Sequence, residues 1–144
     1  MIEQVETIHV MLVTRGQIGL ARKDLELARS DFEAALAFKP KNILCNYNLV
    51  LVNAWLKRLV SARKSFERLK TLTSNRGFLL FAEAVLLIGE GKDDSGVYLF
   101  RQFLKEFPKN KNAPLALANI KNYEAYLLKK KKEAEQGKEE KGQN

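Results

Sequence analysis

The chain has a single cysteine, a single histidine, one tryptophan and only three prolines in 144 residues. Each scarcity excludes something. With Cys45 alone no intramolecular disulfide can form, which fits a reducing, cytoplasmic setting. With His9 alone there is no His/Cys set at zinc spacing and no Cys–His nucleophile pair, so His9 reads as an ordinary helix residue. The run Gly89-Glu90-Gly91-Lys92 is too short for a phosphate loop. Asp93 stands where a metal-binding Ser or Thr would be needed, so the stretch reads as a turn between helices. No metal or cofactor is expected, and the chain is read as non-enzymatic. Long apolar runs are also missing. The longest, Phe78 to Ile88, is about half of the ~20 residues a membrane span requires and carries Glu83 at its middle. Glu3 and Glu6 occupy the part of the N-terminus where a secretory signal needs bases.

What is present is helical periodicity. Residues 2 to 21 repeat apolar side chains at Ile2, Val5, Ile8, Met11, Leu12, Ile18 and Leu20, while Val10 and Val13 extend the apolar surface around the circumference. Arg22-Lys23-Asp24 predicts a turn, then Leu25, Ala28, Phe32, Ala35 and Leu36 predict a second helix, closed by Pro40. Asn42 predicts the cap of a third helix ending near Lys57-Arg58, and a fourth carries Ala62, Phe66 and Leu69. A fifth spans about Gly77 to Ile88, and a sixth, capped by Asp94 or Ser95, carries Val97, Phe100, Phe103 and Leu104. A seventh follows Asn112, with Pro114 in its first turn. From Lys129 onward Lys, Glu, Gln and Gly dominate, so 129–144 is expected to be a charged, disordered tail.

These helices recur at a fixed distance. Ala28, Ala62 and Gly96 are 34 residues apart, as are Phe32, Phe66 and Phe100; Pro40 and Pro108 follow the outer two phenylalanines, with Ser74 in the middle slot. Such a period marks stacked helical hairpins, none able to bury its apolar face alone. Framed as units 9–42, 43–76 and 77–110, the chain resembles the tetratricopeptide repeat (TPR) family. Unit one matches that pattern at Leu12, Gly16, Ala28, Phe32, Ala35 and Pro40, unit two at Tyr47-Asn48-Leu49, Ala62 and Phe66, and unit three at Leu80, Ala84, Gly96, Phe100 and Pro108. The resemblance implies an all-α, right-handed α-solenoid of three hairpins over residues 1–128, closed by a capping helix at 112–128. Departures from the pattern are Arg15 and Glu83 in leucine slots, Asn46 and Asn53 in bulky slots, and Ser74 for proline, which predicts a looser turn there.

The resemblance also implies a function: a scaffold or adaptor module whose concave groove, lined by the first helix of each hairpin, holds a partner protein. The groove positions fall at Val13, Gln17, Tyr47, Asn48, Leu51, Trp55, Phe78, Phe81, Val85 and Asn119. Part of the family grips chaperone C-termini through a two-carboxylate clamp of Lys, Asn, Asn, Lys and Arg. Here those places hold Val13, Gln17, Asn48, Phe78 and Ala82, so only Asn48 matches and an apolar segment or amphipathic helix is the expected ligand. A small chaperone or structural subunit is an alternative of the same architecture. The net charge of +8 raises a third reading, an anionic surface or nucleic acid bound by Arg63, Lys64 and Arg68. No aromatic is interleaved on that face for base stacking, so solvated surface is favoured there over nucleic acid. Finally, Ile2, Val5 and Ile8 leave the first helix too little polar surface to stand in water, which marks it as a face for self-association or another subunit.

Overall fold

The computed structural model describes residues 1–142. Seven helices occupy them in order: α1 (Ile2–Ala21), α2 (Leu25–Phe38), α3 (Ile43–Trp55), α4 (Leu59–Leu72), α5 (Arg76–Gly89), α6 (Asp93–Glu106) and α7 (Ala113–Gly142). α1 pairs with α2, α3 with α4, and α5 with α6; the hairpins stack through α2 on α3, α4 on α5 and α3 on α5, and α7 closes the stack against α6. This is the expected all-α solenoid. None of the described helices is long and apolar enough to cross a membrane.

The 34-residue period is written into the backbone itself. Lys23, Lys57 and Gly91 follow α1, α3 and α5 in the left-handed region, at φ of 62°, 62° and 82°. The next N–H in each case closes back on the helix: Asp24 to the Gly19 carbonyl at 2.8 Å, Arg58 to Asn53 at 2.8 Å and Lys92 to Leu87 at 2.9 Å. Each hairpin therefore turns through the same αL cap, which satisfies carbonyls the helix end would leave orphaned. Helix starts are fixed by side chains where the residues allow it. Asp24, Asn42 and Asn75 accept from the backbone N–H of Leu27, Cys45 and Phe78. α5 thus begins one residue earlier than expected, on Asn75. α6 begins at Asp93 behind Lys92, ahead of the expected caps Asp94 and Ser95, and its first turn carries the negative charges of Asp93 and Asp94.

The repeated aromatics form the core. Phe32 and Phe100 are fully buried and Phe66 nearly so, beside the small residues Ala28 and Ala62. Gly16 shows why small residues face them, since a Cβ built there would lie 2.8 Å from the Phe32 ring. α3 is buried at every position from Cys45 to Ala54, because α2, α4 and α5 all pack on it. Its two sides feed two apolar clusters. Cys45, Leu49 and Val52 join Phe32, Ala35 and Leu36 of α2, whereas Tyr47, Val50, Leu51 and Ala54 join α4 to α7.

Three of the departures from the repeat pattern are accommodated locally, whereas the Asn53 side-chain oxygen is buried without a hydrogen-bond partner among the described residues. Arg15 donates from Nε and an Nη to the two carboxylate oxygens of buried Asp31, at 2.8 and 2.7 Å. Asn46 donates to the carbonyls of Pro40 and Asn42 and so holds the turn before α3. The turn that lacks proline is not loose: the Thr73 hydroxyl accepts from the Asn75 N–H at 3.0 Å, and Asn75 then caps α5. His9 is buried where α1 meets the start of α3, its Nε2 3.4 Å from the Asn42 amide nitrogen, a helix contact as expected.

One element differs in extent. α7 does not stop at Leu128 but continues as helix through the Lys/Glu stretch to Gly142, with its side chains from Lys129 onward exposed. Lysine and glutamate are strong helix formers, so the segment extends a helix already nucleated by packing. Residues 143 and 144 of the expected tail lie outside the described residues.

Candidate partner-binding cleft

A concavity of about 790 Å³ lies between the C-terminal half of α1, the length of α3 and the start of α7. It exists because α1 makes no substantial contact with α3, while α3 and α5 pack together. Its apolar lining is Leu20, Leu25, Leu44, Leu51, Trp55 and Leu115. Its polar lining is Gln17, Lys23, Asn48, Lys111 and Asn112. Trp55 keeps 37% of its surface exposed and Leu115 40%, so both offer contact area to a ligand. Asn48 is 5% exposed, yet its side chain makes no hydrogen bond among the described residues. Its amide is not among the buried unpartnered atoms, so solvent in the cleft reaches it and a ligand there can take the place of water.

The expected groove residues separate into those that face this cleft and those that do not. Gln17, Asn48, Leu51 and Trp55 line it. Val13 does not; it is half-buried against the α2/α3 cluster. Val85 and Asn119 share a smaller depression of about 130 Å³ with the other edge of Trp55.

Tyr47 and Phe81 are buried and not open to a groove, and Phe78 is half-buried beside Tyr47. Phe81 is fully buried, 5.5 Å from the Phe100 ring and 5.2 Å from Phe103. Tyr47 is 4% exposed, with its ring 4.7 Å from half-buried Phe78 and its hydroxyl accepting from Asn112 Nδ2 at 3.0 Å. Burial raises the Tyr47 phenol far above its ordinary range, partly offset by the Asn112 hydrogen bond. The cause is α7, whose Ala116, Ile120 and Tyr123 join the cluster that contains these rings. The inner face of the third hairpin is thus occupied from within the chain. The open concavity lies between the first two hairpins and the start of α7.

Lys23, Lys111 and Asn112 are lining residues that the repeat pattern does not mark. They sit in the turns at the ends of helices, where hydrophobic periodicity carries no information. The proline-to-asparagine loop Pro108 to Asn112 was visible as a helix start, but not its reach across to α3.

The basic cluster on α4 is largely neutralised. Arg63 pairs with Glu90 and Glu67 and lies 5.8 Å over the Phe66 ring; Arg58 bonds Glu26 at 2.9 Å, Lys70 bonds Glu67 at 3.0 Å, and Arg76 bonds Glu106. Of the three residues expected to contact anions, only Lys64 and Arg68 are free of ion pairs among the described residues. At the N-terminus, Ile2, Val5 and Ile8 are exposed at 82%, 38% and 43%. Ile8, Met11 and Ile18 line a shallow depression on the outer side of α1.

No protein-family model matches the chain, and no curated protein matches it in sequence. Solved structures do match. The TPR domain of OM64 from Arabidopsis has a TM-score of 0.63 at 13% identity, over 83% of this chain and 98% of that one. The second TPR domain of human RPAP3, determined in complex with the HSP70 peptide SGPTIEEVD, has a TM-score of 0.59 at 19% identity, over 81% of this chain and 98% of that one. At such identities the likeness is one of fold.

Proposed function

We propose that this chain, which has the fold of a TPR domain, is a non-catalytic protein-interaction module that receives an apolar segment of a partner protein between α1, α3 and α7. The observation that carries this reading is the cleft, with Trp55, Leu115 and an unbonded Asn48 amide on one apolar wall. Apolar surface of that extent is costly to leave in water, and a few placed polar groups on an apolar wall are what orient a bound peptide. Four of the five carboxylate-clamp places hold Val13, Gln17, Phe78 and Ala82, and Ala82 is fully buried, so a chaperone C-terminus is not the expected ligand. The test is binding of a purified partner to the natural chain, to Trp55→Ala and to Leu115→Glu. Either substitution should weaken binding at least about tenfold, as for a central anchor of an interface. The natural chain's tryptophan emission should shift on binding. A partner that binds all three equally, with unchanged emission, uses another surface.

A second reading concerns the opposite side. The exposed Met11 and Ile18 on α1 favour a second copy of this chain as their cover, because an apolar strip on one helix is its own complement across a two-fold axis.

A further inference from the structure

The cleft is apolar along its length and cationic at its ends. Trp55 closes α3 at one end, beside Lys23 in the turn after α1. Leu44 opens α3 at the other, where Asn112 reaches Tyr47 and brings Lys111 with it. Leu44 and Trp55 stand eleven residues apart on one helix, which is about 17 Å or three turns. No acidic residue lines the cleft, and neither Lys23 nor Lys111 takes part in an ion pair among the described residues. Asp24, next to Lys23, is engaged in capping the Leu27 N–H.

We infer that the segment received here is a helix of about three turns with an apolar stripe and a carboxylate near each end, one facing Lys23 and one facing Lys111. This rests on the cleft reading and adds the ligand's charge pattern to it. Between the lysines, Leu20, Leu51 and Leu115 take the stripe, Trp55 packs on its end, and the Asn48 amide takes one polar group of the ligand. The carboxylates decide which apolar helices are accepted and in what register. A ligand with lysines at those ends brings like charges together, and specificity of this kind comes as much from repulsion as from attraction.

The test uses the full chain and two fluorescein-labelled synthetic 14-residue helices with the same leucine stripe, one ending in glutamates and one in lysines, read by anisotropy and by Trp55 emission. At low salt the glutamate-ended peptide should bind roughly tenfold or more tightly, a ratio that shrinks as salt is added. Lys23→Glu with Lys111→Glu should invert the preference. Lys64→Glu with Arg68→Glu, which changes net charge equally on the outer face, should leave it in place. All variants alter exposed side chains, and far-UV circular dichroism checks that they fold. Equal affinity for both peptides with a shifted Trp55 emission overturns the charge pattern and leaves the cleft reading standing. A preference that survives the cleft variant, or disappears in the outer-face variant, assigns it to net charge and also overturns it. If neither peptide binds nor moves Trp55, both readings fail.

Discussion

Lys23 and Lys57 hold a backbone conformation that costs a side-chain-bearing residue about 1 kcal/mol or more, while the same turn in the third hairpin uses Gly91. Lys57→Gly should therefore raise stability by roughly 0.5–1 kcal/mol, visible as a higher urea midpoint at unchanged slope. A lower midpoint would mean that the side chain contributes more than the conformation costs. The core behaves in the opposite sense. Phe66 is 2% exposed beneath Arg63 and Lys70, so Phe66→Ala should cost about 3–5 kcal/mol in the same melts. Burial pushes the Cys45 thiol from an ordinary 9.0 up to about 11. Below pH 9.0 both folded and unfolded thiols are protonated, and the group is neutral to stability. Between 9.0 and about 11 only the unfolded thiol ionises, so stability falls with rising pH and then levels. The difference between the natural chain and Cys45→Ala should show this slope, and thiol reagents should label Cys45 only on unfolding. The phenylalanines and alanines of the core were legible from spacing alone, because one stripe per helix must face its hairpin partner. Tyr47 and Phe81 were not. Their stripe was legible, but what covers it depends on the tilt and rotation of α7, which no spacing within α3 or α5 encodes.

Among the elements, α7 does two different jobs along one length. Its first turns bury Ala113, Ala116 and Ile120, directly after Asn112 bonds Tyr47, whereas from Lys129 the side chains are in water. Ending the chain after Leu128 should leave the urea midpoint within about 0.5 kcal/mol of the full chain, since exposed helix adds little to folding, while mean helicity falls in far-UV spectra. Ending it after Lys111 should instead expose Leu80, Phe81 and Val85 and give a chain that aggregates or melts early. A tail deletion that strongly destabilises would show that residues 129–142 pack on the body after all. Helix positions were legible to within a residue or two because caps and turns carry chemistry: Asn42, Asn75 and the αL lysines each close a definite backbone group. The lysine-rich end was read as disordered because composition reports the absence of a core, not of a helix continued from one.

At the scale of the whole molecule the repeat leaves its first face open. Thirty-four residues separate Met11 from Cys45, Arg15 from Leu49 and Ile18 from Val52. The later three are almost fully buried against α2 of the preceding hairpin, within the cluster that includes Phe32 and Leu36. Their counterparts on α1 have no preceding hairpin among the described residues, so Met11 is 64% and Ile18 47% exposed. Arg15 meets that situation with charge, pinned to Asp31, where the buried position carries leucine. The apolar strip of the N-terminal helix was thus legible as a surplus, and the structure gives it a place: it is the stacking face of the array. Each interior stacking face is closed by a helix, and the proposed second copy would close this one by laying its own α1 across the strip. Light scattering at micromolar concentration should then report a mass above 16.4 kDa. Ile8→Glu with Met11→Glu, both on exposed positions, should return it to a monomer with unchanged circular dichroism. Trp55→Ala, which lies on the other side of α3, should leave the assembly intact while weakening partner binding. A natural chain that stays monomeric across that concentration range removes the second copy from the proposal, and a dimer that survives the two glutamates moves its interface elsewhere.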